Sequence, residues 1–209
     1  MDFNFLSTPR IVCESGGLGR IGSLMEDLSC TRALVVTDPG ILACGFADEP
    51  AASLRAAGIE VEIFHKVKAD PPIAVVEAAV EVARAFGADG IIGLGGGSSL
   101  DTAKVIAAAV ANDQPITDMI GINQVTDKRL PLIQVPTTAG TGSEVTWVFV
   151  LTSESHEKKA VYAPQLLPDV ALLDAKLTLG MPRHITAATA LDAMVHAIEA
   201  VTSRTRKNP

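Results

Sequence analysis

The sequence predicts an α/β fold in which a mostly parallel β-sheet carries helices on both faces. Short runs rich in β-branched residues alternate with longer alanine-rich segments over residues 33–136. Parallel strands need a long crossover between them, usually a helix, so this alternation is typical of βαβ units. Two of the strand-like runs end in glycine-rich or hydroxyl-rich loops, which favours a ligand site at one edge of the sheet.

The elements follow in order along the chain. Strand-like runs are ALVVTD (33–38), IEVEIF (59–64), DGIIGLGGG (89–97, a strand and then a glycine loop) and RLPLIQVP (129–136). Helices are expected between them at 51–58, 71–87 and 98–112, and a helical segment is expected after residue 184. Residues 147–174 are typical of strands and loops. A break near Gly180 predicts an α/β domain over residues 1–180 and a helical segment over residues 181–209.

Composition narrows the class of protein. The 209 residues are 48% hydrophobic with a net charge of -7 and a mean hydropathy of +0.32, which is typical of a globular chain. The acidic balance argues against nucleic-acid binding, and the basic tail at residues 204–207 is expected to be solvated. Three unclustered cysteines and the lack of a leader predict a cytoplasmic location. No apolar run approaches the ~18 residues of a membrane helix.

Two glycine motifs compete for a nucleotide. The first is GLGRIG (17–22), which fits G-x-G-x-x-G and precedes Asp38 by a spacing near that of the dinucleotide fingerprint. The preceding run RIVC is barely a strand, and the following segment SLMEDL is short for the helix of such a unit. We therefore favour a turn that enters a surface helix over a nucleotide loop.

The second motif is GLGGGSSLDTAK (93–104), between a strongly apolar strand and a strongly helical segment. Consecutive glycines let the backbone approach a phosphate, and the N–H groups of the first helical turn then face the anion. Ser98 is the expected N-cap, with Asp101 three residues on as in a capping box. Lys104 lies too far along for a Walker A loop. A glycine-rich turn without ligand is the alternative.

A third segment, PTTAGTGSEVT (136–146), concentrates hydroxyl groups after another apolar strand. Such side chains suit ribose and phosphate oxygens at the carboxyl edge of the sheet, although a loop capped by its own hydroxyls would show the same pattern.

Near the end of the chain, Asp192 and His196 are four residues apart in ATALDAMVHAIEA (188–200), so one helix face could present both to a metal ion. A surface pair without metal is the alternative.

Three segments together resemble the iron-containing (group III) alcohol dehydrogenases of the dehydroquinate synthase-like superfamily. They are GGGSSLDTAK (95–104), PTTAGTGSEVT (136–146) and LLPDVALLDAKLTLGMPRHITAATALDAMVHAIEA (166–200), in family order and spacing. The resemblance runs from about residue 10 to residue 209. It implies a Rossmann-like parallel sheet with helices on both faces that binds NAD(P), followed by the first helix of a truncated all-helical metal-binding domain.

The resemblance also implies roles for individual residues. Gly96, Gly97 and Ser98 match positions that hold the pyrophosphate, and Asp38 matches the acid that accepts hydrogen bonds from the adenosine ribose. Because a carboxylate repels a 2′-phosphate, NAD is expected rather than NADP. Asp70 replaces an asparagine frequent in close relatives, which puts that contact in doubt. The other implied cofactor-binding residues are Asp101, Thr137, Thr138, Thr141, Ser143 and Lys159.

Asp192 and His196 match the first two metal ligands of the family. Fe²⁺ is the expected metal, and Zn²⁺ is possible. Two further histidines would come from farther along such proteins, and His184 does not match a ligand position, so the chain is expected to be a truncated, inactive form. The intact enzyme would be a homo-oligomer that transfers hydride between NAD(P) and a small alcohol or carbonyl compound, with Asp192 and His196 acting through the metal.

Two alternatives stay open. A metal-independent enzyme similar to maleylacetate reductases is one, although Asp192 counts against it because those proteins commonly lose this acid. The other is a module that binds nucleotide without turnover. The helix at residues 186–202 has an apolar face, so the isolated chain is expected to aggregate or self-associate.

Overall fold

The computed structural model describes residues 6–153 and 157–203, so the basic tail at residues 204–207 lies outside the described residues. The strands are β1 (Arg10–Cys13), β2 (Arg32–Val36), β3 (Glu60–Phe64), β4 (Gly90–Gly95), β5 (Gly121–Ile122), β6 (Leu132–Pro136), β7 (Val148–Thr152), β8 (Lys158–Tyr162) and β9 (Val170–Leu173). The helices are α1 (Ile21–Asp27), α2 (Pro39–Ala43), α3 (Asp48–Ala56), α4 (Ile73–Phe86), α5 (Gly97–Asn112) and α6 (Arg183–Thr202).

Six strands form one parallel sheet in the order β1-β9-β6-β4-β2-β3. β4 lies near its centre, where Ile92 pairs with Val35 of β2 and with Ile133 of β6. A second, three-stranded sheet has the order β5-β8-β7. The sheet and the helices that connect its strands confirm the predicted Rossmann-like α/β fold.

Alternation along the central strands places helices on both faces. In β2, Leu34 and Val36 join one core cluster whereas Val35 joins the other, and Ile91 and Ile92 of β4 divide in the same way. Successive side chains of a strand point to opposite faces, so each face presents a buried apolar row that needs a cover. α4 and α5 cover one face, and α1 and α3 cover the other.

α6 differs from the other long helices because no residue of it is buried. Its exposed apolar side chains include Leu191, Met194 and Ile198, which are 61%, 61% and 58% exposed. By length and composition alone α6 could cross a membrane, with a mean hydropathy of 1.2 in its most apolar window. One such helix is weak evidence, so the absence of a membrane segment stays a prediction, as does the domain boundary near Gly180.

Candidate functional site

A cleft of about 630 Å³ lies along the carboxyl ends of the central strands. Asp38 follows β2, Gly96 follows β4 and Thr137 follows β6, and all three line it. The volume is within the range of sites for small molecules and cofactors, which is roughly 300–1,000 Å³. Six predicted cofactor residues meet here: Asp38, Gly96, Gly97, Ser98, Thr137 and Thr138.

The N-terminus of α5 opens onto this cleft. Gly96 occupies the N-cap position in an extended conformation, and no side chain of the described residues caps the helix. The expected N-cap at Ser98 is therefore wrong, because α5 begins at Gly97 and its N-cap is Gly96, two residues earlier. The first-turn amides of Gly97 and Ser98 remain for a ligand, and the positive end of the helix dipole favours an anion there.

The glycines at the start of α5 lie beside threonines of the loop that follows β6. A Cβ atom on Gly96 would lie 3.4 Å from Thr138 Cγ2, and one on Gly97 would lie 3.1 Å from Thr141 Cγ2. Thr138 Oγ1 is buried and has no hydrogen-bond partner within the described part of the chain. A bound group with hydrogen-bonding oxygens, such as a diphosphate, would satisfy that hydroxyl.

Asp38 caps α2 and also lines the cleft. Its Oδ1 accepts hydrogen bonds from the amides of Gly40 and Ile41 at 2.8 and 3.1 Å, so it caps α2. Its Oδ2 accepts a hydrogen bond from Ser99 Oγ at 3.4 Å. These contacts hold the carboxylate at the wall of the cleft, one strand away from the N-terminus of α5.

Four predicted cofactor residues are not among those that line the cleft. Asp101 accepts a hydrogen bond of 2.6 Å from Ser143 Oγ, so these two bind each other. Thr141 packs beside Gly97, and Lys159 Nζ lies 2.6 Å from Glu157 Oε2. Their roles in binding a cofactor stay predictions.

The sequence interpretation also missed several residues of the cleft. Lys68 follows β3, the neighbour of β2, and could have been found by the rule that ligands bind beyond the strand ends. Cys44 lies at the end of α2. Pro182 and Ile185 come from the N-cap and the first turn of the distant α6, and no local pattern marks them as part of this site.

The first glycine motif lies elsewhere and serves protein packing. A Cβ atom on Gly22 would lie 2.3 Å from the backbone oxygen of Ser53, so Gly22 allows α1 to approach α3 closely. A Cβ atom on Gly17 would lie 3.0 Å from Leu172 Cδ1. Residues 17–22 form a 3-10 turn and the start of α1, in agreement with the favoured interpretation of this motif.

The predicted metal ligands lie together on α6. Asp192 Oδ1 is 3.6 Å from His196 Nε2, and the two side chains are 44% and 53% exposed. A carboxylate oxygen and an imidazole nitrogen on one helix face suit Fe²⁺ or Zn²⁺ as part of a larger ligand set. Among the described residues, no group of three or more His, Cys, Asp or Glu side chains could hold a metal ion.

Comparison with known proteins agrees with this geometry. The family of iron-containing alcohol dehydrogenases matches residues 8–175. Sulfoacetaldehyde reductase of Bilophila wadsworthia is 38% identical over 200 residues, which cover 95% of this chain and 52% of that protein. The chain spans about half the length of the curated relatives it matches.

Solved structures show the same fold. The structure of a 1,3-propanediol oxidoreductase has a TM-score of 0.94 and 36% identity, covering 100% of this chain and 55% of that one. Sulfoacetaldehyde reductase from Bifidobacterium kashiwanohense, in complex with NAD⁺, has a TM-score of 0.86 and 30% identity, covering 96% and 53%. The chain therefore belongs to the iron-containing alcohol dehydrogenase family and corresponds to the N-terminal part of such proteins.

Proposed function

We propose that this chain is the nucleotide-binding half of an NAD-linked, metal-dependent oxidoreductase that interconverts a small alcohol and an aldehyde or ketone. The observation that carries the proposal is the cleft in which the uncapped N-terminus of α5 faces Asp38 and Thr138. A related reductase binds NAD⁺, which supports the choice of cofactor. A cytoplasmic location and a homo-oligomeric state stay predictions.

The two ends of the nucleotide are distinguished by the residues near them. Asp38 would accept hydrogen bonds from the adenosine ribose, and the amides of Gly97 and Ser98 would bind the diphosphate. The nicotinamide would then extend towards α6, whose N-cap Pro182 and first-turn residue Ile185 border the cleft. This orientation brings the reactive end of the cofactor towards the helix that carries Asp192 and His196.

The residues of the chain bind and orient the reactants. Asp192 and His196 would hold a divalent metal together with ligands from elsewhere, and apolar side chains such as Met181 would exclude water from the cleft. When bound, the metal supplies Lewis-acid polarisation of the alcohol or carbonyl oxygen, and NAD supplies the hydride acceptor or donor.

Cysteine alkylation tests the nucleotide site directly. Cys44 is exposed and lines the cleft, Cys13 is exposed in β1, and Cys30 is buried. Saturating NAD⁺ should slow alkylation of Cys44 by about tenfold or more, because a bound nucleotide would cover the thiol. Cys13 is the internal control and should react at an unchanged rate. Equal alkylation of Cys44 with and without NAD⁺ would refute the placement of the nucleotide.

The metal part of the proposal needs a separate test. The double variant Asp192→Ala, His196→Ala is made in the protein as its source produces it. It should lose bound metal and alcohol oxidation while it still binds NAD⁺. Full NAD-linked oxidation by that variant would contradict the assigned ligands. Since Asp192 and His196 are the only two predicted ligands within the described residues, a second candidate is nucleotide binding without turnover, and NAD⁺ binding without metal uptake would support it.

A further inference from the structure

Lys104 is a charged side chain that the proposed function does not use. It lies in α5 with no exposed surface. Its Nζ donates hydrogen bonds to the backbone oxygen of Val148 at 2.7 Å and to Thr146 Oγ1 at 3.3 Å, and lies 3.5 Å from Asp101 Oδ1. Burial lowers the pKa of Lys104, and the charge of Asp101 opposes that effect. Since burying an ammonium group is costly unless its partners are well placed, these bonds require an explanation.

Asp101, one turn earlier in α5, binds the same part of the chain. Its Oδ1 accepts a hydrogen bond from Ser143 Oγ at 2.6 Å, and its Oδ2 accepts one from the amide of Val150 at 2.9 Å. The pair of Lys104 and Asp101 therefore holds residues 143–150 at four points. We call residues 137–150 the bridging segment.

The bridging segment connects three parts of the site. Its first residues, Thr137 and Thr138, line the cleft opposite the N-terminus of α5. Farther along, Gly140 lies against α6 so closely that an added Cβ atom would be 2.2 Å from the backbone oxygen of Thr189. Asp192 lies about one turn beyond Thr189 on the same helix. The segment is thus held on α5 through residues 143–150 and contacts the helix of the predicted metal ligands nearer its start, at Gly140.

We infer that Lys104 is a positioning residue that holds the bridging segment on α5, so that the segment forms the wall of the nicotinamide end of the cleft beside α6. The inference rests on the proposed function. The adenosine contacts belong to β2 and α2, and the diphosphate contacts to the first turn of α5 and to Thr138. Thr138 directly follows β6 and lies at the end of the bridging segment that is remote from the anchored residues 143–150. Loss of the anchor should therefore affect one end of the nucleotide more than the other.

The test compares two ligands in Lys104→Met, a variant that keeps an unbranched side chain and removes the charge. NAD⁺ should bind about tenfold more weakly, whereas ADP-ribose, which lacks nicotinamide, should bind within about twofold of the unaltered chain. Lys128→Met is the matched control, because Lys128 is exposed and is not among the residues that line the cleft, so this variant should change neither affinity. A destabilised fold would weaken both ligands together, so equal losses, or no loss, would overturn the inference.

Thr146→Val keeps the test decisive if Lys104→Met does not fold. It removes the hydroxyl that accepts a hydrogen bond from Lys104 Nζ while preserving the shape of the side chain. It should give the same selective loss of NAD⁺ affinity, by a smaller factor.

Hydrogen exchange supplies a readout that needs no nucleotide. The amide of Val150 should exchange faster in Lys104→Met or Thr146→Val than in the unaltered chain, while the amide of Ile92 in β4 should exchange at the same rate. Unchanged exchange at Val150 overturns the anchor, whereas an unaltered chain that binds neither ligand overturns the proposed function.

Discussion

The two glycine motifs of this chain have similar patterns and different neighbours. At Gly22 the space of the missing Cβ atom is occupied by the backbone of α3, with the oxygen of Ser53 only 2.3 Å away. At Gly96 the nearest atom is Thr138 Cγ2 at 3.4 Å, an ordinary contact, and the residue faces an open cleft. A glycine pattern thus indicates a close backbone approach, and only the fold shows whether protein or ligand makes it.

The position of each motif in the sheet explains this difference. The first motif follows β1, an edge strand whose partner is β9. The second follows β4, which lies between β2 and β6, so the loops after three neighbouring strands converge at its end. An edge strand has a neighbouring strand on one side only, so polar groups from two flanking loops cannot converge at its end. The central motif therefore forms a cleft, whereas the edge motif packs against a helix.

Gly22→Ala should give the largest effect, on stability. The added methyl group would overlap backbone atoms of α3 that cannot rotate away, so we expect a loss of about 3 kcal/mol in the free energy of unfolding. Denaturant unfolding measures this loss. Gly180→Ala is the control, because nothing lies within 4 Å of its added Cβ atom. If Gly22→Ala is as stable as the control, the packing role of the first motif is wrong.

Gly96→Ala should show the reverse behaviour. The methyl group fits beside Thr138 without overlap, so the free energy of unfolding should change by less than about 0.5 kcal/mol. It would also hold a diphosphate away from the amides of α5, and NAD⁺ affinity should fall by about 2 kcal/mol, or roughly thirtyfold. Calorimetric titration measures the affinity. Unchanged binding would mean that this motif, too, serves packing alone.

Asp38→Asn tests the wall of the cleft across from the second motif. Asparagine is also a good N-cap, so α2 should persist while the negative charge is lost. The preference for NAD⁺ over NADP⁺ should then decrease by about tenfold, because an amide does not repel a 2′-phosphate. Asp174→Asn is the matched control, since Asp174 caps a 3-10 turn and is not among the residues that line the cleft. An unchanged preference would separate Asp38 from cofactor selection.

The smallest expected effect concerns the thiol of Cys30, which lies near the other end of β4. A Cβ atom added to Gly90 of that strand would be 2.6 Å from Cys30 Sγ. Burial, with the charges of Asp89 and Asp169, raises the pKa of the Cys30 thiol from 9.0 to about 12. Because the unfolded thiol ionises first, stability present below pH 9.0 is lost as the pH rises towards 12. Between pH 8 and 9.5 the loss should be under about 1 kcal/mol. Cys30→Ala should lack this component in parallel denaturation curves, and identical pH dependence in both proteins would argue against the raised pKa.

Several elements were predictable because their signals are local. β2, β4 and β6 were recognisable from runs of β-branched and apolar residues, and α4 from helical spacing that ends on Gly87, the C-cap in the left-handed conformation. The N-cap of α5 was misplaced because the preference of serine for that position is worth only about 1 kcal/mol. Here the path of the chain leaving β4 decides instead, and it puts Gly96 at the cap.

The amino-acid sequence by itself determined the parallel α/β architecture and the family, and it favoured the second glycine motif over the first as the one at a ligand cleft. These depend on side-chain periodicity and on residues close together in the chain. The tertiary structure alone decided that Asp101 binds Ser143 and that Lys104 is buried under the segment before β7. It also decided that Ile185 borders the cleft at the carboxyl ends of the central strands. Those contacts join residues about 40 or more positions apart, and no local pattern encodes them, because they arise only when the central strands bring distant loops to one edge of the sheet.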